Sequence, residues 1–307
     1  MRAVVLGAAA GGGFPQWNSN AEGCRRARSG DPGAKRRTQA SLAVSGDGER
    51  WFLINASPDL REQIQAQAIL HPKSGLRSSP IEGVILTGAD VDAIAGLLHM
   101  RERQAFTLYG SDRVLGVLTA NPIFNVLSDE CVRRETVPLG RAFEPRHVDG
   151  SGSGFEVELF DVPGKVALYL ETGSSPQELA GKAGDTVGVE IRSKGKRLVY
   201  IPGCADMTDG LKRRLAGAST VLFDGTLWRD DEMVRAGLGP KTGQRMGHMS
   251  VSGPDGTLAA FRDIPVGRKI LVHINNSNPI LLDDSSERHE LGKEGWEVAH
   301  DGMEVSP

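Results

Sequence analysis

Two aspartates in the segment LTGADVDAIAGL (residues 86–97) have a spacing that is suited to chemistry. The apolar run before Thr87 predicts a buried strand, so Asp90 and Asp92 fall in the turn between that strand and a following helix. Two carboxylates on such a turn can bind one divalent cation, because hard oxygen ligands suit such ions. The alternative is helix capping at the positive end of the helix dipole, and the spacing alone favours capping.

Three more residues are candidates for chemistry, and two of them lie at the ends of predicted strands. His248 lies in GHMSVSG, His273 ends the apolar strand of VHINNSNP, and Asp224 follows the strand VLF in FDGT. A histidine at a strand end is a candidate metal ligand or acid/base group, although a lone histidine is more often structural. Asp224 can be a ligand, a partner that orients a histidine, or a turn residue. Together these residues are distributed as expected for a site along one edge of a sheet.

The sequence gives no support for a nucleotide-binding loop, a cysteine nucleophile or a disulfide framework. The run AAAGGGF follows a predicted strand, but it has neither the G-x-G-x-x-G spacing of a dinucleotide loop nor the lysine of a P-loop. The sequence pairs Cys204 with no activating base, and Cys131 resembles a small hydrophobic core residue. Three scattered cysteines, the third being Cys24, argue against a disulfide framework.

Alternating strands and helices are predicted to position these side chains. Strands are predicted over 2–6, 41–44, 51–55, 84–87, 106–109, 156–162, 166–171, 188–192, 197–201, 220–223 and 269–274. Helices are predicted from the Ser57-Pro58-Asp59 start to about Gln65, over 94–101, and near 207–215 and 254–263. Residues 14–37 are predicted to form a polar, basic loop. The alternation favours an α/β fold of the αββα sandwich type over an all-β fold.

Composition and charge narrow the classes of function. The chain has 307 residues, of which 39% are hydrophobic and 24% charged, as is ordinary for a soluble globular protein. The net charge of −3 gives no electrostatic case for nucleic acid or an anionic membrane as a partner. The N-terminal apolar run is too short for a secretory signal, and no stretch approaches the roughly 18 apolar residues of a spanning helix. We therefore expect a cytoplasmic protein with reduced cysteines.

A set of further stretches is distinctive in combination. They are VVLGAAAGGGFPQWN (4–18), RRTQASLAVS (36–45), LINASPDLREQI (53–64), PGK (163–165), YIPGCA (200–205), LFDGT (222–226), RMGHM (245–249), VHINNSNP (272–279) and AHDG (299–302). In this order they resemble the pyrroloquinoline quinone (PQQ) biosynthesis protein B family, over almost the whole chain. The resemblance implies a metallo-β-lactamase-like αββα sandwich with two mixed β-sheets flanked by helices. It also implies a single domain over residues 1–307, with metal sites at one edge of the sheets.

The metal motif of that fold is altered in this chain. The usual first motif is T-H-x-H-x-D-H-x-x-G, and residues 87–96 read TGADVDAIAG. Gly88 and Asp90 therefore stand at histidine positions, and Asp92 keeps the aspartate. Ala93 stands where the PQQ family has histidine. The resemblance thus implies weakened metal binding in this chain.

Cysteine usage departs from the family pattern as well. Cys204 stands where many relatives have an aspartate that bridges two metal ions. The family's Cys-x-Cys-x-x-Cys zinc knuckle is represented by Ser19, Ala21 and Cys24, and one thiolate cannot hold a structural zinc ion, which takes four ligands. We therefore expect no structural zinc knuckle. We also expect no dinuclear zinc centre of the β-lactamase type.

One metal ion remains compatible with the donors that are left. The implied donors to one ferrous iron or zinc ion are Asp90, Asp92, His248, His273 and Asp224. A histidine–carboxylate set with open positions is typical of mononuclear ferrous iron that activates oxygen. The resemblance implies an iron- and oxygen-dependent hydroxylation of a tyrosine-derived intermediate of PQQ biosynthesis, impaired here by the lost histidine. Its catalytic residues would be Asp92, His248 and His273.

The resemblance also suggests residues that bind the substrate, and two hypotheses compete with the hydroxylase. Arg37, or the pair Asn275 and Asn276, would hold the carboxylates of a PQQ precursor. The alternative is a non-catalytic carrier that aids transport or release of PQQ or its precursor. Such a carrier needs a basic or amide-lined pocket but no metal. A degenerate copy with a scaffolding role is a third hypothesis, and the GGGFPQWN loop with the basic run after it is a candidate homodimer interface.

Overall fold

Two six-stranded β-sheets form the centre of the computed structural model, which describes residues 1–173 and 179–307. In each sheet the strands lie side by side in chain order. The first sheet contains β1 (Arg2–Gly7), β2 (Ser41–Ser45), β3 (Trp51–Ile54), β4 (Ile81–Ile85), β5 (Phe106–Gly110) and β6 (Val132–Thr136). The second contains β7 (Glu156–Asp161), β8 (Val187–Ser193), β9 (Lys196–Ile201), β10 (Thr220–Asp224), β11 (Arg268–Val272) and β12 (Trp296–Val298). Both sheets are mixed: the first three strands of each are antiparallel and the later ones parallel.

Short helices lie between the strands. The α-helices of the described residues are α1 (Glu22–Arg28), α2 (Leu60–Ala66), α3 (Val91–Ile94), α4 (Asp112–Ala120), α5 (Asp209–Leu215), α6 (Glu232–Arg235), α7 (Gly243–Met246), α8 (Thr257–Ala260) and α9 (Ser286–Lys293). Single 3₁₀ segments span Ala68–Leu70, Ala95–Met100, Pro122–Val126, Leu168–Leu170 and Pro279–Leu281. Within the described ranges, no helix is long and apolar enough to cross a membrane.

The buried side chains form three layers. A central cluster joins the two sheets and includes Val5 and Phe52 of the first sheet with Val189 and Leu222 of the second. The other face of the first sheet packs against α2 and α4, and the other face of the second sheet packs against α5 and α9. Burial of each such side chain contributes about 1.5–3 kcal/mol. These layers confirm the predicted αββα sandwich.

The parallel strands bring several loops to one edge of the sandwich. Asp224, the last residue of β10, pairs in register with Val272 at the end of β11, so His273 follows directly beside it. The loop after β4 is held by Asn55, whose side chain accepts from Thr87 N at 2.9 Å and donates to Thr87 Oγ1 at 2.8 Å. The carboxyl ends of these strands therefore present the aspartates and histidines that the sequence singles out.

The sequence prediction lacks the strands β6 and β12 and the helices α4 and α9, and it differs from the structure in two further segments. The predicted strand over 166–171 is wrong, because Leu168–Leu170 form a 3₁₀ turn that lies against the aspartate loop. Leu168 N donates to Asp90 Oδ1 at 3.2 Å and Tyr169 Oη to the carbonyl of Ala89 at 2.7 Å, which leaves this apolar run off the sheets. The basic loop predicted over 14–37 contains α1. That helix has an acidic first turn and a basic last turn, which match the helix dipole.

The carboxylate of Asp301 connects the C-terminal segment to the start of the chain. It accepts hydrogen bonds from Thr38 N at 2.7 Å, from Thr38 Oγ1 at 2.8 Å and from Ala8 N at 3.2 Å. We expect Asp301→Ala to lower the free energy of unfolding by about 3 kcal/mol, because it leaves these donors without their partner. Urea unfolding measures the loss. The control Asp284→Ala, which removes a carboxylate whose side chain is 66% exposed, should cost less than about 1 kcal/mol; an equal loss would contradict the prediction.

Candidate metal centre

Four elements deliver the candidate donors to the carboxyl edge of the sheets. Asp92 is the second residue of α3, which begins directly after the extended backbone of Asp90. His273 follows β11 with a left-handed φ of 57°. His248 follows the C-terminal cap of α7, Gly247, whose φ of 84° is a backbone conformation that favours glycine. The glycine run at 11–13 borders the site, since a Cβ added at Gly11 would lie 3.6 Å from Asp92 Oδ2.

Asp224 is fully buried, and both of its oxygens are engaged. Oδ2 accepts from Cys204 N at 2.8 Å and from His248 Nδ1 at 2.7 Å. Oδ1 accepts from Thr226 N at 3.0 Å and from Thr226 Oγ1 at 2.6 Å. Burial alone would raise the pKa of Asp224, but the nearby charge of His248 and its hydrogen bond hold it below its usual value. The carboxylate is therefore ionised and orients His248.

The hydroxyl of Thr226 joins the two histidines. Oγ1 lies 2.8 Å from His273 Nδ1, 3.1 Å from His248 Nδ1 and 2.6 Å from Asp224 Oδ1. A hydroxyl donates one hydrogen, and the charged Asp224 is its closest acceptor, so it accepts from the Nδ1–H of His273. Both histidines are thus held through Nδ1. This arrangement leaves Nε2 of His248 as a ring nitrogen that can bind a metal ion, whereas Nε2 of His273 already contacts Asp92 Oδ2.

His273 and Asp92 form a second imidazole–carboxylate pair. His273 Nε2 lies 2.9 Å from Asp92 Oδ2, and the rings of His273 and His248 stack with centroids 5.0 Å apart. Burial would lower the pKa of His273, but the hydrogen bond and charge of Asp92 raise it above its ordinary value. Burial would likewise raise the pKa of Asp92, yet the bond to His273 lowers it. His273 and Asp92 therefore neutralise each other as an ion pair, and a metal ion that binds His273 must displace the proton from its Nε2.

Asp90 has a different environment from Asp92. Its Oδ1 accepts from Leu168 N and lies 4.0 Å from Lys165 Nζ, and its side chain is 44% exposed. Burial of the carboxyl and the charge of Asp92 raise the pKa of Asp90. Asp90 therefore faces the mouth of the site, whereas Asp92 lies against the histidines.

The donors fit one divalent cation. Asp224, His248 and His273 each offer a ligand atom within 4.8 Å of the other two, and they are the one such group among residues 1–173 and 179–307. Asp92 adds a carboxylate in contact with His273. Two imidazoles with one or two carboxylates suit zinc or ferrous iron. Because Asp224 already accepts four hydrogen bonds, its geometry is that of a residue that positions His248; its role as a direct ligand stays a prediction.

The predicted substrate residues are all buried, and their roles stay predictions. Asn275 and Asn276 follow His273 and are 9% and 8% exposed. Asn276 Nδ2 donates to Gln16 of the FPQWN loop, and its Oδ1 accepts from the thiol of Cys24 at 3.6 Å. Arg37 is 3% exposed, and its guanidinium donates to the backbone carbonyls of Ala299 at 2.9 Å and Lys35 at 2.8 Å.

Two cysteines near the centre are buried. Burial raises the pKa of Cys204, and its Sγ donates to the carbonyl of Asp206 at 3.2 Å, so the thiolate that metal binding or nucleophilic attack needs is disfavoured. Cys24 is fully buried beside Asn276. The absence of a zinc knuckle at Ser19, Ala21 and Cys24 stays a prediction.

Sequence reasoning missed Thr226 and Lys165 as parts of the site. Thr226 follows Asp224 in FDGT, and threonine two residues after a strand-end aspartate is also common in ordinary turns. Only the structure shows its contacts with two histidines that lie 22 and 47 residues further along the chain. Lys165 lies in PGK, far in sequence from Asp90.

Thr226 offers a test of how the histidines are held. We expect Thr226→Val, which keeps the shape and removes the hydroxyl, to lower the affinity for Zn²⁺ about 10- to 100-fold, as is usual for a lost partner of a metal-binding histidine. Competition with a chromophoric chelator measures the affinity. The matched control is Thr220→Val, a buried threonine at the other end of β10, which should leave it unchanged. Equal affinity in both variants would contradict the assigned role of Thr226.

The sequence is similar to a known protein family over most of its length. Residues 50–274 match the model of the beta-lactamase superfamily domain. Two curated relatives are named coenzyme PQQ synthesis protein B: the one from Gluconacetobacter diazotrophicus is 57% identical, over 99% of this chain and 98% of the relative. The one from Bradyrhizobium diazoefficiens is 55% identical, over 99% of both.

Solved structures agree with this similarity. The zinc-bound PqqB from Methylobacterium extorquens superposes with a TM-score of 0.95 and 51% identity, over the whole of both chains. Human tRNase Z, short form, superposes with a TM-score of 0.58 at 14% identity, over 100% of this chain and 99% of that one. The second likeness shows the fold alone.

Proposed function

The chain belongs to the coenzyme PQQ synthesis protein B family, and from this premise we propose that it acts in PQQ biosynthesis through one metal ion at the carboxyl edge of its sheets. The names of relatives that match over nearly the whole chain support the pathway. The observation that supports the metal is the pair of histidines held through Nδ1 by Asp224 and Thr226. A structure of the Methylobacterium relative with zinc bound is in line with such a site.

Asp92, His248 and His273 are the residues that we propose hold the ion, with Asp224 and Thr226 behind them. A bound ferrous ion would supply oxygen activation for the hydroxylation of a tyrosine-derived intermediate. The protein's own contribution is orientation: Asp224 fixes His248, Thr226 fixes His273, and Asp92 supplies negative charge beside His273. Asp90 lies at the mouth, where it can contact substrate.

Substrate binding is assigned to the amide side chains next to His273. Asn275 and Asn276 lie one and two residues after His273, and both have side-chain donors and acceptors. They can orient a carboxylate-bearing precursor over the ion. We propose a PQQ precursor as the small-molecule partner of this site, in line with the names of the relatives.

One observation favours a second candidate function, that of a non-catalytic carrier of PQQ or its precursor. The five central side chains satisfy one another by hydrogen bonds without a cation: Asp224 with His248, Thr226 with both histidines, and Asp92 with His273. Ala93, at the position where the resemblance implies a histidine, contributes no donor. A carrier would keep this cluster as a structural element.

Anaerobic calorimetric titration of the protein with ferrous iron tests the proposal. We expect one-to-one binding by the unmodified chain and no detectable binding by Asp92→Ala, with Asp112→Ala, a change at the start of α4, as the control that retains it. Binding that survives Asp92→Ala would place the ion elsewhere. If the unmodified chain binds no iron or zinc, the carrier function is the better explanation, and titration with PQQ is the next experiment.

A further inference from the structure

Two cations and one carboxylate form a compact group at the mouth of the site. Arg245 donates to both oxygens of Glu171, from Nη1 to Oε1 at 3.3 Å and from Nη2 to Oε2 at 2.9 Å. Lys165 Nζ lies 3.4 Å from Glu171 Oε1. The side chains of Glu171, Lys165 and Arg245 are 11%, 16% and 29% exposed. One carboxylate thus lies between two cations in a partly desolvated place, where charge-assisted hydrogen bonds are strong.

This group adjoins the mouth of the proposed metal centre at Asp90 and at the residue before His248. Lys165 Nζ is 4.0 Å from Asp90 Oδ1, and the stem of Lys165 packs on Gly247, the residue before His248. Arg245 belongs to α7 and lies three residues before His248. Glu171 follows the 3₁₀ turn Leu168–Leu170, whose first residue bonds to Asp90. Lys165 therefore reaches the mouth of the site at Asp90, and Arg245 is connected to Lys165 through Glu171.

We propose that Lys165 and Arg245 form the binding site for a carboxylate of the small-molecule ligand, and that Glu171 is an internal carboxylate that the ligand displaces. The inference rests on the proposed function, because it names the groups that recognise the ligand of the same site. The planar fork of an arginine binds any carboxylate in the two-bond geometry that Glu171 now shows. An incoming carboxylate can replace Glu171 bond for bond.

Three features favour displacement over a purely structural ion pair. Arg245 pairs with Glu171, and Lys165 lies between Glu171 and Asp90, so an incoming carboxylate that replaces Glu171 leaves the balance of charge in this group unchanged. The hydrogen bond from Arg245 and the charge of Lys165 lower the pKa of Glu171 to about 2, so it competes as an anion. The turn before Glu171 buries none of its three side chains, so moving Glu171 outward uncovers little apolar surface.

Opposite effects of two substitutions test the inference. The probe is PQQ, a tricarboxylate, titrated into the full chain by calorimetry at low ionic strength. We expect Glu171→Gln to bind PQQ about 10-fold more tightly than the unmodified chain, because the competing anion is removed. Arg245→Met and Lys165→Met should bind it at least about 10-fold more weakly. The matched controls are Glu297→Gln and Arg268→Met, which break a similar bidentate pair at the β11–β12 edge and should change the affinity less than about 2-fold.

The outcomes separate this inference from its alternatives. If Glu171→Gln and Arg245→Met both weaken PQQ binding, the ion pair only stabilises the local structure and the inference is wrong. An equal gain in PQQ affinity in Glu297→Gln would mean that the net charge of the protein alone is responsible, and the inference would be wrong. Absence of PQQ binding in both the unmodified chain and Glu171→Gln would also contradict the inference. Iron titration of the same preparations keeps the proposed function separate: iron binding without any response to PQQ contradicts this inference alone. A PQQ response without iron binding contradicts only the metal site.

Discussion

His273→Asn is expected to lower the affinity of the chain for ferrous iron at least about 100-fold, which corresponds to about 2.7 kcal/mol. The imidazole of His273 is the side chain that contacts both Thr226 and Asp92, so its loss removes a donor and separates the two halves of the cluster. Asparagine tolerates the left-handed backbone at this position, which keeps the effect on folding small. Anaerobic calorimetry measures the affinity.

The control for this prediction is His289→Asn, which removes an exposed imidazole on α9. Iron affinity should be unchanged in that variant. Urea unfolding of both variants separates loss of a ligand from loss of structure. An iron affinity that remains within about 3-fold of the unmodified chain in a folded His273→Asn protein would remove His273 from the metal centre.

Ala93→His is expected to raise the affinity for ferrous iron about 10- to 100-fold, since it restores a donor beside Asp92. Ala93 lies on α3 at the carboxyl edge of the first sheet and is 6% exposed. The larger side chain must fit against the core, so we expect a loss of about 1–3 kcal/mol in the free energy of unfolding. Calorimetry and urea unfolding of the same preparation measure the two effects.

The matched control for Ala93→His is Ala95→His, which adds an imidazole two residues further along the chain. It should leave iron affinity unchanged. A folded Ala93→His protein whose affinity equals that of Ala95→His would show that position 93 does not face the ion. The weakened metal binding inferred from Ala93 would then need another cause.

The sequence predicts the sandwich well because its strands are short, strongly apolar and separated by clear turns. Strands such as β9, β10 and β11 are buried on both faces, and continuous apolar runs indicate them. The strand β6 was missed, since Val132–Thr136 is mostly charged and lies at the edge of its sheet. The 3₁₀ turn at Leu168–Leu170 was mistaken for a strand because it lies in a continuous apolar run, although its side chains are 38–55% exposed.

The candidate site was predictable as a set of residues but not as a set of contacts. Strand ends pointed to Asp92, Asp224 and His273, because parallel strands present their carboxyl ends at one edge. The role of Thr226 depends on the register of β10 against β11, which periodicity does not give. Likewise, the pairing of Glu171 with Arg245 joins residues that are 74 positions apart, and their charges look like ordinary surface charges in the sequence.

Restoration of PQQ synthesis tests the central claim most directly. A PQQ-producing bacterium that lacks its own copy of this protein is supplied with the unmodified chain, with His273→Asn or with the control His289→Asn, and PQQ is measured by mass spectrometry at matched protein levels. We predict that the unmodified chain and His289→Asn restore PQQ, and that His273→Asn reduces it at least about 10-fold. Full restoration by His273→Asn would contradict a metal-dependent role and favour a carrier. No restoration by the unmodified chain would contradict a role in the pathway.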